Sequence, residues 1–224
     1  MGGLHKAGGN GSNCFMVRGY RTIIISPMLS VVIQAGGQSS RMGQDKALKL
    51  FLDHPLIQRV IERLQPIADE LLVTTNRPED YAFLNLPLFT DIKPGRGPLG
   101  GLYTALFSAK HSIVAVAACD MPFVNVELFK AASEIMVKEE ADVVIAKTSK
   151  GYEPLHAVYR REACIPAIEA AIASDKWRMD SWLSQVKIRL LTPKEIDRYD
   201  PDGLAFFNIN TLEAFAQAEQ RARE

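Results

Sequence analysis

A segment near the start of the chain has the composition of a phosphate-binding loop. Residues 31–48 read V-V-I-Q-A-G-G-Q-S-S-R-M-G-Q-D-K-A-L, without the G-K-[ST] of a Walker P-loop. Glycines let the backbone approach a ligand with its N–H groups turned inward. Arg41 and Lys46 carry donors for charge-assisted hydrogen bonds to phosphate oxygens. A glycine-rich turn with solvated cations is the plainer interpretation. We favour phosphate binding because the loop follows a strand-like run and precedes a helical pattern.

A second candidate is the D-M-P-F stretch at residues 120–123, which ends the apolar run S-I-V-A-V-A-A-C. A carboxylate at the end of a buried strand is unfavourable unless it is paired or binds a cation. Mg²⁺ takes oxygen ligands, usually one or two carboxylates together with phosphates. Taken alone, Asp120 is equally well explained as a turn or cap residue before the next helix. Beside a phosphate loop, we favour the magnesium interpretation.

A third stretch, G-R-G-P-L-G-G at residues 95–101, contains a literal G-x-G-x-x-G, with Asp120 twenty residues after Gly100. This spacing is the dinucleotide fingerprint and supports a rival class, an NAD-dependent oxidoreductase. Its context is unfavourable, because I-K-P separates the glycines from the preceding extended run and Pro98 stands in the turn. We interpret the stretch as a second loop facing phosphate or sugar, followed by a helix.

Two later segments carry amide and imidazole groups. His156, within E-P-L-H-A-V-Y, is either a general base or, as is commoner, a histidine packed in a strand. Asn208 and Asn210, within F-F-N-I-N-T, would share one side of a strand end. Paired amides suit phosphate, sugar or metal-bound water, and Asn210 is also suited to cap the last helix. We find no Ser/His/Asp signature and no G-x-S-x-G elbow.

The elements that must position these residues alternate between strand and helix patterns. Strands are predicted at residues 30–35, 70–75, 86–90, 112–119, 142–146, 155–160, 187–191 and 205–209. Helices are predicted at residues 55–65, 100–109, 126–138, 161–173 and 211–223. This order indicates an α/β fold, a Rossmann-like, doubly wound and mostly parallel sheet with helices on both faces.

In such folds ligands bind beyond the carboxyl ends of the strands. The candidate residues follow predicted strands and therefore belong to one edge of the sheet: the loop at 34–46, Asn76, Asp91, Asp120, Asn208 and Asn210.

Composition narrows the class of protein. Lys+Arg and Asp+Glu both number 26 in 224 residues, so the formal net charge is zero and a nucleic-acid partner is disfavoured. No apolar run approaches the ~18 residues of a membrane-spanning helix. Three scattered cysteines argue against a disulfide framework and favour the cytoplasm.

The first 27 residues are rich in Gly and Asn and lack periodicity. We expect residues 1–27 to be a disordered leader or an upstream extension, native or artificial, with Met28 as a candidate natural start. Residues 28–224 would then form one domain.

Together these motifs resemble those of the molybdenum cofactor guanylyltransferases, a family of GT-A-like nucleotidyltransferases. That family is marked by L-A-G-G-x-S-x-R-M-G-x-D-K-A-L, G-P-L-x-G, C-D-x-P and N-x-N-T. The corresponding residues here are 34–48, 97–101, 119–122 and 208–211. The resemblance covers residues 29–224, and Gln34 departs from it because the family usually has leucine there. The Gly36-Gly37 pair is similar to the guanine-using members, whereas cytidylyl-using relatives usually carry A-A-G.

The resemblance implies a role for each matching residue. Gln34, Ala35 and Gly36, with Gly37 beside them, would line the guanine of GTP. Lys46 would contact the phosphates, Asn76 and Asp91 would hold the nucleotide, and Asp120 would bind Mg²⁺. Arg41 suits a phosphate by its charge and position. Asn208 and Asn210 suit the second substrate or the surroundings of the metal ion.

The reaction implied by the resemblance is the transfer of GMP from GTP to the phosphate of molybdopterin, with release of pyrophosphate. Transient contact with proteins of molybdenum cofactor biosynthesis or with acceptor proteins is also implied. A cytidylyl- or sugar-nucleotidyltransferase with the same Mg²⁺-dependent chemistry remains an alternative, and the NAD-dependent oxidoreductase is a weaker one.

Overall fold

The architecture is an α/β sheet whose elements alternate along the chain. The computed structural model describes residues 15–17, 20–22, 27–36, 45–95 and 97–224. The strands are β1 (Phe15–Val17), β2 (Tyr20–Thr22), β3 (Leu29–Gln34), β4 (Leu50–Phe51), β5 (His54–Pro55), β6 (Glu70–Thr74), β7 (Leu88–Phe89), β8 (Ile113–Ala118), β9 (Val143–Thr148), β10 (Gly151–Arg160) and β11 (Ile188–Leu190). The α-helices are α1 (Leu56–Leu64), α2 (Pro78–Tyr81), α3 (Gly97–Ser108), α4 (Val126–Glu139), α5 (Arg161–Ala173), α6 (Pro193–Tyr199) and α7 (Leu212–Arg221).

The main sheet has seven strands in the order β11-β9-β10-β8-β3-β6-β7. β8, β3, β6 and β7 run parallel to one another, and β11 is parallel to β9. β10 is antiparallel to both β8 and β9. The prediction of a mostly parallel sheet is therefore confirmed, with one reversed strand near its centre. Because of this reversal, the start of β10 lies at the same edge as the carboxyl ends of β8 and β3.

Helices cover both faces of the sheet, as the doubly wound pattern requires. On one face, alternate strand residues pack with the apolar sides of α1 and α4. On the other face, the remaining strand residues pack with α3 and α5. All six residues of β8 are buried, which explains its apolar run without alternation. The charged and polar candidate residues are left at the carboxyl edge, where neither helical layer covers them completely.

Three predicted elements at this edge differ from the structure. Strand β10 begins at Gly151 rather than at residue 155. Helix α3 begins at Gly97 rather than at residue 100, so the last glycines of the 95–101 stretch are helical. Residues 205–209, predicted as a last strand, form turn and coil. Their backbone bonds explain this, because both oxygens of the buried Asp200 accept from the N–H groups of Leu204 and Ala205, at 3.0 and 2.8 Å. The apolar alternation of this segment reflects local burial rather than a place in the sheet.

Near the start of the chain, β1 and β2 pair antiparallel as a separate two-stranded sheet. The leader expected over residues 1–27 stays a prediction, since most of that range lies outside the described residues. Within the described ranges, no helix combines the length and apolar character needed to cross a membrane.

Candidate functional site

Three polar side chains from distant parts of the chain meet beyond the carboxyl end of β8. Lys46 Nζ donates hydrogen bonds to Asn210 Oδ1 at 3.0 Å and to the carbonyl oxygen of Ile209 at 3.3 Å. The same ammonium group lies 3.9 Å from Asp120 Oδ2. The side chains of Lys46 and Asp120 are only 15% and 22% exposed, so water screens their charges less than at an open surface. Lys46, Asp120 and Asn210, each predicted separately, thus belong to one site.

Lys46 is positioned by the residue before it, which the sequence analysis did not single out. Asp45 caps the 3₁₀ turn that starts at Lys46, because its Oδ1 accepts from the N–H of Ala47 at 3.1 Å. Its other oxygen accepts from the Tyr81 hydroxyl at 2.6 Å and from the Arg77 guanidinium. Burial, and then the Asp45 carboxylate, raise the pKa of Tyr81, so its hydroxyl keeps its proton and remains a donor. D-K-A-L, a capping residue ahead of a short turn, was the signal available in the sequence.

The loop that carries Asp120 is held against α1. Arg59 Nε donates to the carbonyl oxygen of Pro122 at 3.3 Å, and Arg63 Nε donates to that of Val124 at 2.9 Å. Burial raises the pKa of the Asp120 carboxyl above its ordinary value, and the Lys46 ammonium opposes that rise. A further positive charge next to Asp120 would favour its ionised form.

The donor set around Asp120 fits a magnesium ion that arrives with a nucleotide. Mg²⁺ is usually bound by one or two carboxylates and completes its octahedral shell with water and substrate phosphates. Asp120 supplies one partly buried carboxylate. Across the described ranges, no group of three or more His, Cys, Asp or Glu side chains is arranged to hold a metal ion. These residues therefore do not offer a cage made of protein ligands alone, and substrate oxygens would complete the shell.

Asn76 and Asp91 follow β6 and β7 and are bonded to each other. Asn76 Nδ2 donates to Asp91 Oδ2 at 2.8 Å, and the N–H of Asp91 donates to Asn76 Oδ1 at 3.1 Å. The N–H of Ile92 donates to Thr104 Oγ1 at 3.0 Å, which ties this pair to α3. The two predicted nucleotide contacts thus form a single unit, two to three strands away from β8 along the same edge.

Gln34 ends β3 with a buried side chain beneath the first turn of α3. Its Nε2 donates to the carbonyl oxygen of Pro98 at 3.2 Å, whereas Oε1 is buried with no hydrogen-bond partner among the described residues. A Cβ on Gly101 would lie 2.1 Å from Gln34 Nε2, so glycine leaves the space that this side chain occupies. The departure from the leucine usual in the family is therefore accommodated by α3.

The loop after Gln34 is described only at its two ends. Ala35 is buried and its N–H donates to the carbonyl oxygen of Thr74 at 2.8 Å, and Gly36 is exposed at the edge. Gly37 and Arg41 lie outside the described residues, so their roles at the nucleotide stay predictions.

A pocket of ≈ 190 Å³ opens beside Asp120. Asn208 and Asn210 line it, as does Glu153 from the start of β10. Asn208 and Asn210 share the pocket although they are not in a strand. Glu153 was missed because the search for chemistry followed the ends of strands, and β10 reaches this edge with its beginning.

His156 is a packed residue rather than an exposed base. It is 3% exposed, its ring stacks on Phe129 at a centroid distance of 4.2 Å, and Phe206 meets it edge-on. Its Nε2 accepts from the N–H of Asn125 at 3.2 Å, which places the proton of the neutral ring on Nδ1. Burial lowers the pKa of His156 to about 4. His156 is therefore a histidine packed in a strand and not a general base.

The fold and the site define the chain as an α/β nucleotidyltransferase, with a lysine and a carboxylate facing each other beyond the carboxyl edge of the sheet. The sequence profile of the MobA-like NTP transferase domain matches residues 31–188. The chain belongs to this MobA-like NTP transferase family. Gly97, Gly100 and Gly101 lie in α3 rather than in a first dinucleotide-binding turn, and the family match removes the oxidoreductase alternative.

Individual relatives match most of the chain. A probable molybdenum cofactor guanylyltransferase of Peptoclostridium acidaminophilum is 38% identical over 200 residues, which are 87% of this chain and 90% of the relative. A molybdenum cofactor guanylyltransferase of Desulfosudis oleivorans is 33% identical over 84% of this chain and 93% of its own length. The crystal structure of molybdopterin-guanine dinucleotide biosynthesis protein A from Archaeoglobus fulgidus is similar with a TM-score of 0.76. It is 25% identical, and the match covers 87% of this chain and 98% of that one.

Proposed function

We propose that this protein transfers GMP from GTP to the terminal phosphate of molybdopterin, forming the guanine dinucleotide and pyrophosphate. The observation that carries the proposal is the convergence of Lys46, Asp120 and Asn210 at the carboxyl edge of the sheet. Relatives named molybdenum cofactor guanylyltransferase support the choice of substrates.

The chemistry is an attack of the acceptor phosphate oxygen on the α-phosphorus of GTP, with pyrophosphate as leaving group. No nucleophile from the protein is required, so catalysis rests on alignment and on stabilisation of negative charge. Lys46 is already oriented by Asn210 and by the carbonyl oxygen of Ile209, and it would hold a phosphate oxygen without reorganisation. Asn210 accepts from Lys46 through Oδ1. Its Nδ2 group would then be the donor for a second phosphate oxygen.

A magnesium ion would be held by Asp120 and by phosphate oxygens. When bound, it would supply charge neutralisation at the reacting phosphates and help to orient them. Asp120 itself would be kept ionised by Lys46 and by the ion. Arg41 is proposed as a further cation for the phosphates.

The nucleotide would extend from this centre towards β6 and β7. Gln34, Ala35, Gly36 and Gly37 are proposed to line the base, with Asn76 and Asp91 as one bonded unit against the nucleoside. Because the Gly36-Gly37 pair resembles the guanine-using members, GTP is favoured over CTP.

Thermal unfolding with GTP, CTP, ATP and NAD, each with and without Mg²⁺, tests the nucleotide class. A ligand at a hundred times its Kd adds about 2.7 kcal/mol to the free energy of unfolding. For a chain of this size, at about 2–4 °C per kcal/mol, that corresponds to a rise in Tm of about 5–11 °C. We expect the largest rise with GTP and Mg²⁺, followed by pyrophosphate release when molybdopterin is added. A preference for CTP would assign the protein to the cytidylyl branch and refute the proposal.

Asp120→Asn tests the magnesium site within the same assay. It keeps the shape of the side chain and removes its charge, so the added stabilisation by Mg²⁺ should disappear and turnover should fall by about 10²–10³. Asp142→Asn is a suitable control, because Asp142 is also partly buried and lies 3.9 Å from an arginine, at the far end of the sheet. Near-normal turnover in Asp120→Asn would exclude Asp120 as the metal ligand.

A further inference from the structure

The pocket beside Asp120 has a chemistry that the transferred phosphates do not explain. Met121, Pro154 and Leu155 give it apolar walls, and a second carboxylate, Glu153, lines it in addition to Asp120. Its volume of ≈ 190 Å³ is below the about 300 Å³ of the smallest typical ligand pockets, so it would take one end of a larger molecule. Apolar walls with a few placed polar groups are typical of small-molecule sites, and a planar heteroaromatic ring with hydrogen-bonding edges is a ligand of that chemistry.

Glu153 is held in place by a residue at the end of β9. Thr148 Oγ1 donates to Glu153 Oε1 at 2.8 Å, across the turn between β9 and β10. Within the described part of the chain, Glu153 makes no ion pair. A carboxylate is an acceptor only, with lone pairs for about four hydrogen bonds, and Thr148 uses one of them. The acceptor sites that remain suit a ligand with adjacent N–H donors. They disfavour a phosphate, which is also negatively charged.

We propose that Glu153 is a specificity-determining residue that recognises the 2-amino-4-oxopyrimidine edge of the pterin ring in the acceptor. This inference rests on the proposed function, and it names the residue that selects the second substrate. The exocyclic amino group and the adjacent ring N–H form a pair of donors that a carboxylate accepts in a bidentate manner. The phosphate end of the same acceptor would then lie towards Lys46, which is bonded to Asn210 at the lining of the pocket.

Guanine carries the same pair of N–H donors as the pterin ring. The position of Glu153 in the sheet therefore has to decide which of the two rings it contacts. In the sheet order, β10 and β6 are separated by β8 and β3. Three strand spacings of about 4.8 Å put them roughly 14 Å apart. A nucleotide with its base at the end of β3 and its nucleoside held at Asn76 and Asp91 would therefore lie on the other side of β8 from Glu153. The two substrates extend from Lys46 and Asp120 in opposite directions along the edge, and Glu153 meets the acceptor.

The test compares two small probes, pterin and lumazine, by quenching of their intrinsic fluorescence. They differ at position 2, where lumazine replaces the amino group with a carbonyl. We expect the wild-type protein to bind pterin at least about tenfold more tightly, because the carboxylate repels the carbonyl and accepts from the amine. In Glu153→Gln one acceptor becomes a donor, so the preference should fall to parity or reverse towards lumazine.

Turnover provides the second readout. Glu153→Gln should raise the KM for molybdopterin by a similar factor and leave kcat and the KM for GTP unchanged. Glu127→Gln is the matched control, since Glu127 is an exposed glutamate on α4 that pairs only with Lys130 among the described residues. It should leave the preference for pterin and both KM values unchanged.

Each outcome bears on one of the two proposals. Equal affinity for pterin and lumazine in the wild type, or a preference that survives in Glu153→Gln, overturns the role of Glu153. If Glu153→Gln raises the KM for GTP instead, Glu153 contacts guanine rather than the pterin ring. If the variant loses its dependence on Mg²⁺, Glu153 is a metal ligand. Either result overturns the proposed recognition of the pterin ring. The wild-type protein and both variants are also tested by thermal unfolding with GTP and Mg²⁺. If GTP does not raise the Tm of the wild type, the proposed function is refuted, whatever the result with pterin and lumazine.

Discussion

Replacement of Lys46 by methionine removes the positive charge at the centre of the site and keeps most of the side-chain volume. In the structure, Lys46 Nζ lies 3.9 Å from Asp120 Oδ2 and donates to Asn210 Oδ1 at 3.0 Å. At that separation two unit charges interact by about 4 kcal/mol for an effective dielectric constant of 20. A phosphate oxygen that gains charge in the transition state would sit at a similar distance from the ammonium.

The expected effect on catalysis follows from the orientation of Lys46 before substrate binds. Loss of one preorganised donor to a developing charge typically raises the barrier by about 3–4 kcal/mol, which is about 10²–10³ in rate. We therefore expect kcat of Lys46→Met to fall by that factor, with a smaller change in the KM for molybdopterin. The fold should persist, because Asp45 caps the turn through its own side chain and the backbone of Ala47.

Pyrophosphate release at saturating GTP and Mg²⁺ measures kcat, and urea unfolding checks the fold. Lys49→Met is the matched control, because Lys49 lies three residues further along and its ammonium sits 4.1 Å above the ring of Phe215. It should lower the free energy of unfolding by about 0.5–1 kcal/mol and leave kcat unchanged. If kcat of Lys46→Met stays within about tenfold of the wild type, below the usual loss for a preorganised donor, the catalytic role assigned to this lysine is wrong.

Two further predictions concern stability. His156 is buried with its pKa lowered to about 4, so between pH 7 and pH 5 the unfolded chain gains a proton that the folded chain does not. The free energy of unfolding should then fall by about 2 kcal/mol over this range. His156→Leu should lose this part of the pH dependence in urea titrations, and parallel profiles for the two proteins would contradict the assignment. Gly101→Ala places a Cβ 2.1 Å from Gln34 Nε2, which should displace the Gln34 side chain and destabilise the protein by about 1–3 kcal/mol. Because the clash is with that one side chain, Gln34→Ala in the Gly101→Ala background should recover part of the loss in a double-mutant cycle, and strict additivity would rule out the proposed contact.

Much of the fold could be predicted because the signals are local. The apolar run before Cys119 lacks alternation, and the strand it predicts, Ile113–Ala118, is buried on both faces. Helix α5 spans Arg161–Ala173, as its sequence pattern indicated. The motifs around Lys46 and Asp120 could be found for the same reason, since residue type and spacing within a few positions carry their chemistry.

Other features depend on contacts between distant residues. Asp45 binds Tyr81, 36 positions away, and Lys46 binds Asn210, 164 positions away. No periodicity within either segment indicates such a partner. The alternation in residues 205–209 even predicted a strand. In the structure, the N–H of Ala205 donates to the carboxylate of Asp200, and the N–H of Ile209 donates to the carbonyl oxygen of Asp120.

The residues themselves predict a phosphate-binding loop, and they determined that this chain has a carboxylate at a strand end and a doubly wound core. The tertiary structure alone decided what surrounds them. Strand β10 runs antiparallel to β8, so Glu153 reaches the functional edge from the beginning of a strand rather than from its end. The physical reason is that hydrogen-bonded pairing satisfies the backbone equally in either direction. The direction of a buried strand is therefore set by its neighbours and connections, not by the pattern of its own side chains.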